Sequence, residues 1–376
     1  MRILHTADLH MGKKTHGKMH SERLMNDRLI DVERVGYEIA DIAEREEVDV
    51  ILFAGDAFDT TTPTPTQQRL LLDVFHRWQE VAMVLMVPGN HDHPVTEGRN
   101  HAMDIFEELD YTYVYSEPEA FVYDDVVFCA LPWPLKRLKG EHDSVWRRYM
   151  DVMQKATDNA YSRELPAVLF GHLTAKGSLP SGSEASLSLG GEITFAPEEL
   201  SEGFDYVGLG HIHKPQDLSK NAPLVNCPVV YSGSPERLTF NEEDNDPSVV
   251  IFDTEDSANY WRVPIESATS FYTIDADVNQ EEDITKQPFP KEAIVRIRYQ
   301  SDHSLDEQSI LREVSDKCRR VVEITRLVDD AQAEADVPDI DVNQDPVQLF
   351  RSWANKKSVS SSDQDEALEL LTQLTD

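Results

Sequence analysis

Residue types that bind metal ions recur at five places in this sequence, each following a run of apolar residues. In chain order they are Asp8 with His10, Asp56, Asn90 with His91, His172, and His211 with His213. Singly, each is weak, because Asp-x-His and Gly-His recur by chance and a histidine after a strand is more often a hydrogen-bonded loop residue than a ligand. Jointly they are informative, since glycine usually stands beside them and all can converge on one edge of a sheet.

The mixture of donor types indicates a particular kind of metal site. Carboxylates and an amide oxygen combined with neutral imidazoles suit Mn²⁺, Zn²⁺ or Fe²⁺. The three cysteines, Cys129, Cys227 and Cys318, form no Cys-x-x-Cys pair, which argues against a thiolate site. A single structural zinc would not need so many ligands. Two ions about 3.5–4 Å apart would need a bridging carboxylate, and such a pair can clamp a phosphate and a hydroxide.

The segments that precede these residues have the character of buried parallel strands. Val81 to Val87 is apolar throughout and stops at Pro88, and Val48 to Ala54 and Pro166 to Phe170 are similar. Asn26 to Arg45 and Gln67 to Glu80 read as helices between them. Alternating strands and helices predict a parallel α/β sheet, whose ligands gather at the carboxyl ends of the strands.

Beyond Gly210 the apolar segments become short and closely spaced. They lie near Leu224, at Val229 to Tyr231, at Val249 to Phe252 and at Tyr260 to Val263. This spacing predicts a second, antiparallel sheet packed on the first. From Phe271 a different order of strand, strand, helix and strand indicates a small α+β unit, and an acidic stretch without periodicity follows it.

The overall charge argues against one class of function. The chain has 35 Lys+Arg against 70 Asp+Glu, a net charge of -35. Such a surface repels nucleic acids and anionic membranes at low salt. We interpret it as a solvated acidic surface suited to a salty cytoplasm, with a basic partner as the alternative. Without a membrane-length apolar run or a signal-peptide pattern, we expect a cytoplasmic protein that does not bind membranes.

The five blocks in their order, Asp-x-His, Gly-Asp-x-x-Asp, Gly-Asn-His-Asp, Gly-His and Gly-His-x-His, resemble the calcineurin-like metallophosphoesterases. Within that superfamily the chain is similar to the SbcD branch of double-strand-break repair nucleases. The supporting segments are Gly55 to Thr60, Ser183-Glu184, Gly190-Gly191 and Tyr231 to Arg237. The resemblance implies a four-layer α/β/β/α sandwich at residues 1–267. It also implies a DNA-capping α+β domain at 268–328, an acidic linker at 329–345 and a helical partner-binding tail at 346–376.

The resemblance also implies roles for the site residues. One ion would be held by Asp8, His10, Asp56 and His213, and the other by Asp56, Asn90, His172 and His211. Asp56 would then bridge the two ions, for which Mn²⁺ is the expected metal. His91 would face the scissile phosphate as a proton donor or transition-state stabiliser. Some relatives have a second catalytic histidine where this chain has Asp59, so Asp59 is either functional or a supporting carboxylate.

The implied function is that of a Mn²⁺-dependent DNA exonuclease and endonuclease. It would act at DNA ends in repair, recombination or replication, with an SbcC-like coiled-coil ATPase bound to the tail. The alternatives are another metallophosphoesterase, acting on proteins or small molecules, and a non-catalytic scaffold that binds DNA ends. Gln67 to Glu80 and Gly98 to Leu109 fit a homodimer interface or the monomer core equally well. Lys13, Lys14 and Lys18 fit phosphate contacts or a solvated cluster.

Overall fold

The computed structural model describes residues 1–92, 101–134, 142–182, 184, 193–280, 283–301 and 305–327. The predicted linker and tail lie outside those residues, as do Ser183, Gly190 and Gly191, which contribute to the family resemblance. The chain divides into two compact units. The first comprises the described residues of 1–274, 285–297 and 307–324, and the second comprises 275–280, 283–284, 298–301, 305–306 and 325–327.

Strands and helices alternate in the first part of the chain, as predicted. Their bounds are β1 Arg2–Thr6, α1 Asp27–Arg45, β2 Val50–Phe53, α2 Pro65–Gln79, β3 Met83–Met86, β4 Thr112–Val114, β5 Glu119–Tyr123, β6 Val126–Leu131, α3 His142–Arg163, β7 Ala167–His172, β8 Thr174–Ala175, β9 Thr194–Phe195, α4 Pro197–Ser201 and β10 Tyr206–Gly210. The predicted helix at Gly98 to Leu109 is a 3₁₀ helix, Ala102–Glu108, in the part that the structure describes.

The remaining strands and the last helix follow Gly210. They are β11 Gln216–Asp217, β12 Val229–Tyr231, β13 Ser248–Asp253, β14 Trp261–Pro264, β15 Phe271–Asp277, β16 Ile294–Gln300, α5 Glu307–Ser315 and β17 Arg320–Leu327. No strand forms at Leu224, whose side chain is exposed. Strands β15, β16 and β17 form a three-stranded sheet with α5 between the last two in sequence. These elements match the order predicted after Phe271, while the role of that segment as a capping domain stays a prediction.

Local sequence explains where the two long helices begin. The side chain of Asn26 accepts a hydrogen bond from the backbone N–H of Arg28 and caps α1. Helix α2 begins two residues earlier than predicted, because Thr64 and Gln67 form a capping box around Pro65 at the first helical position. Both helices therefore begin where a side chain accepts a hydrogen bond from the first turn, and in α2 the proline ring also fits the helical backbone angle.

Two six-stranded sheets form the body of the molecule. Their strand orders are β14-β13-β1-β2-β3-β4 and β11-β12-β10-β7-β6-β5. The prediction that Val249 to Phe252 and Tyr260 to Val263 belong to a second, antiparallel sheet is wrong. Strand β13 pairs antiparallel with β1 and so extends the first sheet, while β6, β7, β10 and β12 are parallel to one another. Strand β13 is apolar on both faces, so it needs a place between two apolar layers.

Side chains of successive residues alternate between separate cores, which defines the layers. In the first sheet Leu4, Ile51 and Val84 pack with α1 and α2. Their neighbours Ile3, Val50 and Leu85 face the second sheet, in a core that the two sheets share. The opposite face of the second sheet packs on α3. The order helices, sheet, sheet, helix confirms the predicted four-layer sandwich.

The apolar stripe of α2 is used inside the molecule. Leu71, Val74 and Trp78 are fully buried, and Trp78 Nε1 donates a hydrogen bond of 2.7 Å to the carbonyl of Gly36 in α1. Of the two roles predicted for this stripe, the structure therefore shows the core role. No helix among the described residues is long and apolar enough to span a bilayer.

Candidate metal centre

The residues of the candidate site lie on loops at the carboxyl ends of β1, β2, β3, β7 and β10. The loop after β1 runs beside the loop after β2 and bonds to it. Asp8 N–H donates to the carbonyl of Gly55 at 2.9 Å, and His10 N–H donates to the carbonyl of Asp56 at 3.0 Å. These bonds continue the strand pairing past the sheet edge, and so they bring two loops of ligand-type residues together.

Four of these residues have a backbone conformation that is uncommon outside glycine. The φ angles of Asp8, His10, Asp56 and His211 are 59°, 47°, 56° and 97°. Each such residue costs on the order of 1–3 kcal/mol unless its surroundings stabilise the conformation. Strain of this kind clusters at binding sites, and here it occurs at four residues whose side chains meet at one site.

Two glycines allow the loops to approach closely. A Cβ atom at Gly89 would lie 2.1 Å from Oδ1 of Asp56, and one at Gly55 would lie 2.4 Å from Nδ1 of His172. Gly55 also has a φ of 92°. Both contacts are far inside van der Waals distance, so any side chain at either position would displace a site residue.

The first donor group comprises Asp8, His10 and His213, whose donor atoms lie within 4.8 Å of one another. Nε2 of His10 is 3.0 Å from Nε2 of His213. Nδ1 of His213 lies 2.9 Å from the carboxylate of Glu242, which accepts its hydrogen. A ring nitrogen that donates in this way leaves a lone pair on the other nitrogen, as a metal-binding imidazole requires. All three residues are buried.

The second donor group comprises Asp56, Asn90, His172 and His211. Nδ1 of His172 donates to the carbonyl of Ala54 at 2.7 Å, so Nε2 carries the lone pair when the ring is neutral. That atom lies 3.0 Å from Oδ1 of Asn90 and 3.3 Å from Oδ2 of Asp56. Acceptor atoms face one another stably when a proton or a cation lies between them. The donor set therefore fits a divalent cation.

Asp56 lies between the two donor groups. Its Oδ2 is 3.5 Å from Nε2 of His10 in the first group and 3.3 Å from Nε2 of His172 in the second. Its Oδ1 accepts a hydrogen bond of 2.9 Å from the backbone N–H of His91. A carboxylate in this position has the geometry that a bridging ligand needs.

The electrostatics of the site favour bound positive charge. Burial raises the pKa of Asp8 to about 7. Burial acts in the same direction on Asp56, but the nearby histidines, His172 foremost with His10 and His91, together hold the pKa of Asp56 well below its usual value. In return, although burial lowers the pKa of His172, the Asp56 carboxylate raises it to about 9. Protons on imidazoles and divalent cations therefore compete for the same buried negative charge.

The two histidines of the Gly-His-x-His block differ in their surroundings. Burial alone lowers the pKa of His213, but its bond to Glu242 raises it to about 9. Burial lowers the pKa of His211 to about 3, and the neighbouring His172 acts in the same direction. His211 is therefore a neutral imidazole near pH 7, which is the form that binds metal ions.

His91 is placed differently from the buried donors. It is half-buried, and its Nδ1 donates to the backbone carbonyl of Asp59 at 2.8 Å, so Nε2 remains for other partners. It lines a cavity of about 80 Å³ together with His10, Asp56, Asn90, His211 and His213. One of its nitrogens is within 4.8 Å of donor atoms of His10 and Asp56. This position is close enough for a group that acts on a substrate bound beside the donors.

Three supporting residues were not predicted from the sequence. Glu242 orients His213, as described above, and Ser234 Oγ donates to the backbone carbonyl of Asp8 at 2.8 Å. The buried carboxylate of Asp92 accepts hydrogen bonds from the N–H groups of Gly89, Ala57 and Phe58, which joins the loops after β2 and β3. Asp92 ends the Gly-Asn-His-Asp block, which gave a signal for it. Nothing in the local pattern around Glu242 marks that residue.

The sequence of this chain matches one protein family and several known proteins. The family model described as calcineurin-like phosphoesterase matches residues 1–215. The SbcD component of the nuclease SbcCD from Bacillus subtilis is 28% identical over 272 residues, which cover 67% of this chain and 66% of that protein. The DNA double-strand break repair protein Mre11 of Saccharolobus solfataricus is 25% identical over 243 residues, which cover 64% of this chain and 56% of that protein.

The chain thus matches about two thirds of the bacterial relative's length and a little over half of the archaeal one's. Among solved structures, a dimetal phosphatase from Danio rerio aligns with a TM-score of 0.42 at 12% identity. That alignment covers 67% of this chain and 91% of the phosphatase.

Proposed function

Because the chain belongs to the calcineurin-like phosphoesterase family, we propose that it hydrolyses phosphodiester bonds of DNA with two divalent metal ions bound at the sheet edge. The observation that carries this proposal is the position of Asp56, whose Oδ2 lies within 3.5 Å of an imidazole nitrogen of each donor group. DNA is the proposed substrate because the relatives include a nuclease component and a DNA repair protein.

Each ion has a proposed ligand set of this chain's residues. Asp8, His10 and His213 would hold one ion, and Asn90, His172 and His211 would hold the other, with Asp56 shared between them. Mn²⁺ suits this mixture of oxygen and imidazole donors, and we propose it as the working metal. When bound, the ions supply Lewis-acid stabilisation of the phosphate and an activated water at neutral pH.

The protein's own contribution to the chemistry centres on His91. Its Nδ1–H is bonded to the Asp59 carbonyl, so the ring is held with Nε2 available to the cavity. We propose that in the imidazolium form this nitrogen donates a hydrogen bond or a proton to the phosphate oxygens as charge develops there. The buried Asp92 keeps the loop of His91 in place through its three backbone hydrogen bonds.

We extend the proposal to the wider biological setting by analogy with the relatives. We propose that residues 268–328 cap DNA and that residues 346–376 bind an SbcC-like coiled-coil ATPase. Action at double-strand ends, hairpins or single strands in repair, recombination or replication would follow from that assembly. Homodimerisation is part of the proposal, and since the apolar stripe of α2 is buried in the monomer, the dimer would use other side chains.

A cleavage assay separates this function from its two rivals. The purified protein with Mn²⁺ is incubated with linear duplex DNA, with a hairpin oligonucleotide and with a phosphorylated protein. Moderate salt is used because the net charge of -35 opposes DNA binding when salt is low. We expect DNA cleavage and no phosphate release from the phosphoprotein. Phosphate release from the protein alone would indicate a phosphatase, and DNA binding without cleavage would indicate a scaffold.

A further inference from the structure

Lys13 lies at the mouth of the candidate metal centre. It lines the same cavity as His10, Asp56 and His91, and among the described residues that line this cavity it is the one lysine or arginine. Lys14 and Lys18, its neighbours in the basic cluster of the sequence, are exposed and do not line the cavity. The structure thus separates three lysines that the sequence alone could not distinguish.

The backbone around Lys13 is fixed on both sides. Its N–H donates to the carbonyl of His10 at 3.0 Å, and the N–H of Asp59 donates to the carbonyl of Met11 at 3.2 Å. Gly12 has a φ of 126°, and a Cβ there would lie 2.7 Å from the side chain of Gln67 in α2. The position of the Lys13 backbone at the mouth of the cavity is therefore set by the loop.

Asp59 lies beside the ammonium group of Lys13 but does not occupy all of its N–H donors. Nζ of Lys13 is 3.4 Å from Oδ1 of Asp59, which is longer than the roughly 2.7–2.9 Å of a strong charge-assisted hydrogen bond. An ammonium group has three donors, so donors remain for a second partner. The side chain of Lys13 is 30% exposed and that of Asp59 is 18% exposed, so the pair lies at the boundary between protein and solvent.

The same residue orients His91 through its backbone. The carbonyl of Asp59 accepts a hydrogen bond from His91 Nδ1 at 2.8 Å, while its carboxylate pairs with Lys13. One loop position therefore orients an imidazole and a cation beside the same cavity. An anion that enters this cavity would find a positive group already oriented.

We propose that Lys13 is a phosphate-binding residue of this centre and that Asp59 is its positioning residue. The ammonium group contacts a non-bridging oxygen of the phosphate group that lies against the metal centre. This inference rests on the proposed function and deepens it, because it assigns the residue that recognises the anionic group. The rival explanation is that Lys13 only neutralises the carboxylate of Asp59.

The test measures binding of inorganic phosphate to the Mn²⁺-loaded protein by isothermal titration calorimetry. A hydrogen bond to a charged group contributes about 1.5–3 kcal/mol, so Lys13→Met should weaken phosphate binding roughly tenfold or more. Lys13→Arg should retain most of the affinity, and Lys14→Ala, the matched control, should stay within about twofold of the wild type. Metal content and melting temperature of each variant are measured in parallel.

A double variant separates recognition from charge neutralisation. If Lys13 only neutralises Asp59, the Lys13→Met, Asp59→Asn protein should regain wild-type phosphate affinity. On our proposal it stays as weak as Lys13→Met. Unchanged affinity in Lys13→Met, or full recovery in the double variant, would overturn the inference. Because the readout is phosphate binding, a protein that cleaves no DNA but shows the Lys13 effect would refute the DNA assignment alone.

Discussion

Glu242 accepts a hydrogen bond from Nδ1 of His213 at 2.9 Å, although the two residues are 29 positions apart in the chain. The bond fixes the tautomer of His213 and turns its Nε2 toward His10, 3.0 Å away. The second oxygen of Glu242 accepts from the backbone N–H of Leu238 at 2.7 Å, so the carboxylate is itself held. A residue outside all five sequence blocks therefore orients one of the proposed metal ligands.

Replacing this carboxylate should weaken one ion more than the other. Outer partners of metal-bound imidazoles commonly account for about 10–100-fold in metal affinity. We expect Glu242→Gln to lose that much affinity for one of two Mn²⁺ ions and to retain the other, as measured by calorimetric titration. The control is Glu198→Gln, at an exposed position of α4. Two unchanged affinities in Glu242→Gln would show that the hydrogen bond does not support a ligand.

His91 should be needed for cleavage and not for metal binding. Its Nδ1 is occupied by the Asp59 carbonyl, and we assign its other nitrogen to the phosphate. His91→Ala should therefore keep both ions and bind DNA normally but cleave it about 10²–10⁴-fold more slowly. Loss of an ion from this variant, measured by plasma mass spectrometry, would make His91 a ligand instead.

His5 should make stability fall in mild acid. It lies in β1 with Nδ1 at 3.1 Å from the hydroxyl of Tyr206, and burial lowers its pKa from the usual 6.5 to about 3. Because the folded pKa lies below the unfolded one, the neutral form contributes stability above pH 6.5 that is lost as the pH falls toward 3. Between pH 6.5 and pH 5 the titration of this one group lowers the free energy of unfolding by about 2 kcal/mol.

The His5 contribution can be isolated by comparing free energies of unfolding in urea at pH 7 and pH 5. Those of the wild type should differ by about 2 kcal/mol more than those of His5→Gln, which has no titrating ring. The comparison uses differences within each protein, so a general loss of stability in the variant does not affect it. Equal pH dependence of the two proteins would show that His5 is not buried as a neutral imidazole.

The net charge of -35 should make folding depend on salt. Added salt screens the repulsion among surface carboxylates, and at molar concentration this repulsion extends only a few ångströms. We expect the free energy of unfolding in urea, which is uncharged, to rise between about 0.1 M and 2 M KCl. Greatest stability in the low-salt buffer would argue for an acidic surface adapted to a basic partner.

The structure could be predicted from the sequence where neighbouring residues determine it. The apolar segment before Pro88 predicts β3, and its Gly-Asn-His-Asp continuation correctly places Asn90 and His91 beside the other donors. The four-layer order was implied by the family resemblance, and it agrees with the need of strands that are apolar on both faces for cover on both sides. For β3 and the loop after it, the deciding residues are neighbours in the chain.

The structure could not be predicted from the sequence where strands or loops that are distant in the chain pair with each other. Strand β13 pairs with β1, with Val250 opposite His5, and its run of apolar residues is equally compatible with either sheet. The positive φ angles of Asp8 and Asp56 occur in two loops that hydrogen-bond to each other although they are distant in the chain. Glu242 is oriented by contacts that only the folded chain brings together, so no periodicity or motif indicates it.

The most direct test of the account is the metal content of Asp56→Ala beside that of His10→Ala. Asp56 lies within 3.5 Å of imidazole nitrogens from both donor groups, whereas His10 belongs to one. Both proteins are loaded with Mn²⁺, freed of excess metal by gel filtration and measured by plasma mass spectrometry, with circular dichroism to verify folding. If Asp56 bridges two ions, folded Asp56→Ala should lose nearly all of both ions, and His10→Ala should retain one ion. Two ions retained by folded Asp56→Ala would contradict a centre bridged by that carboxylate.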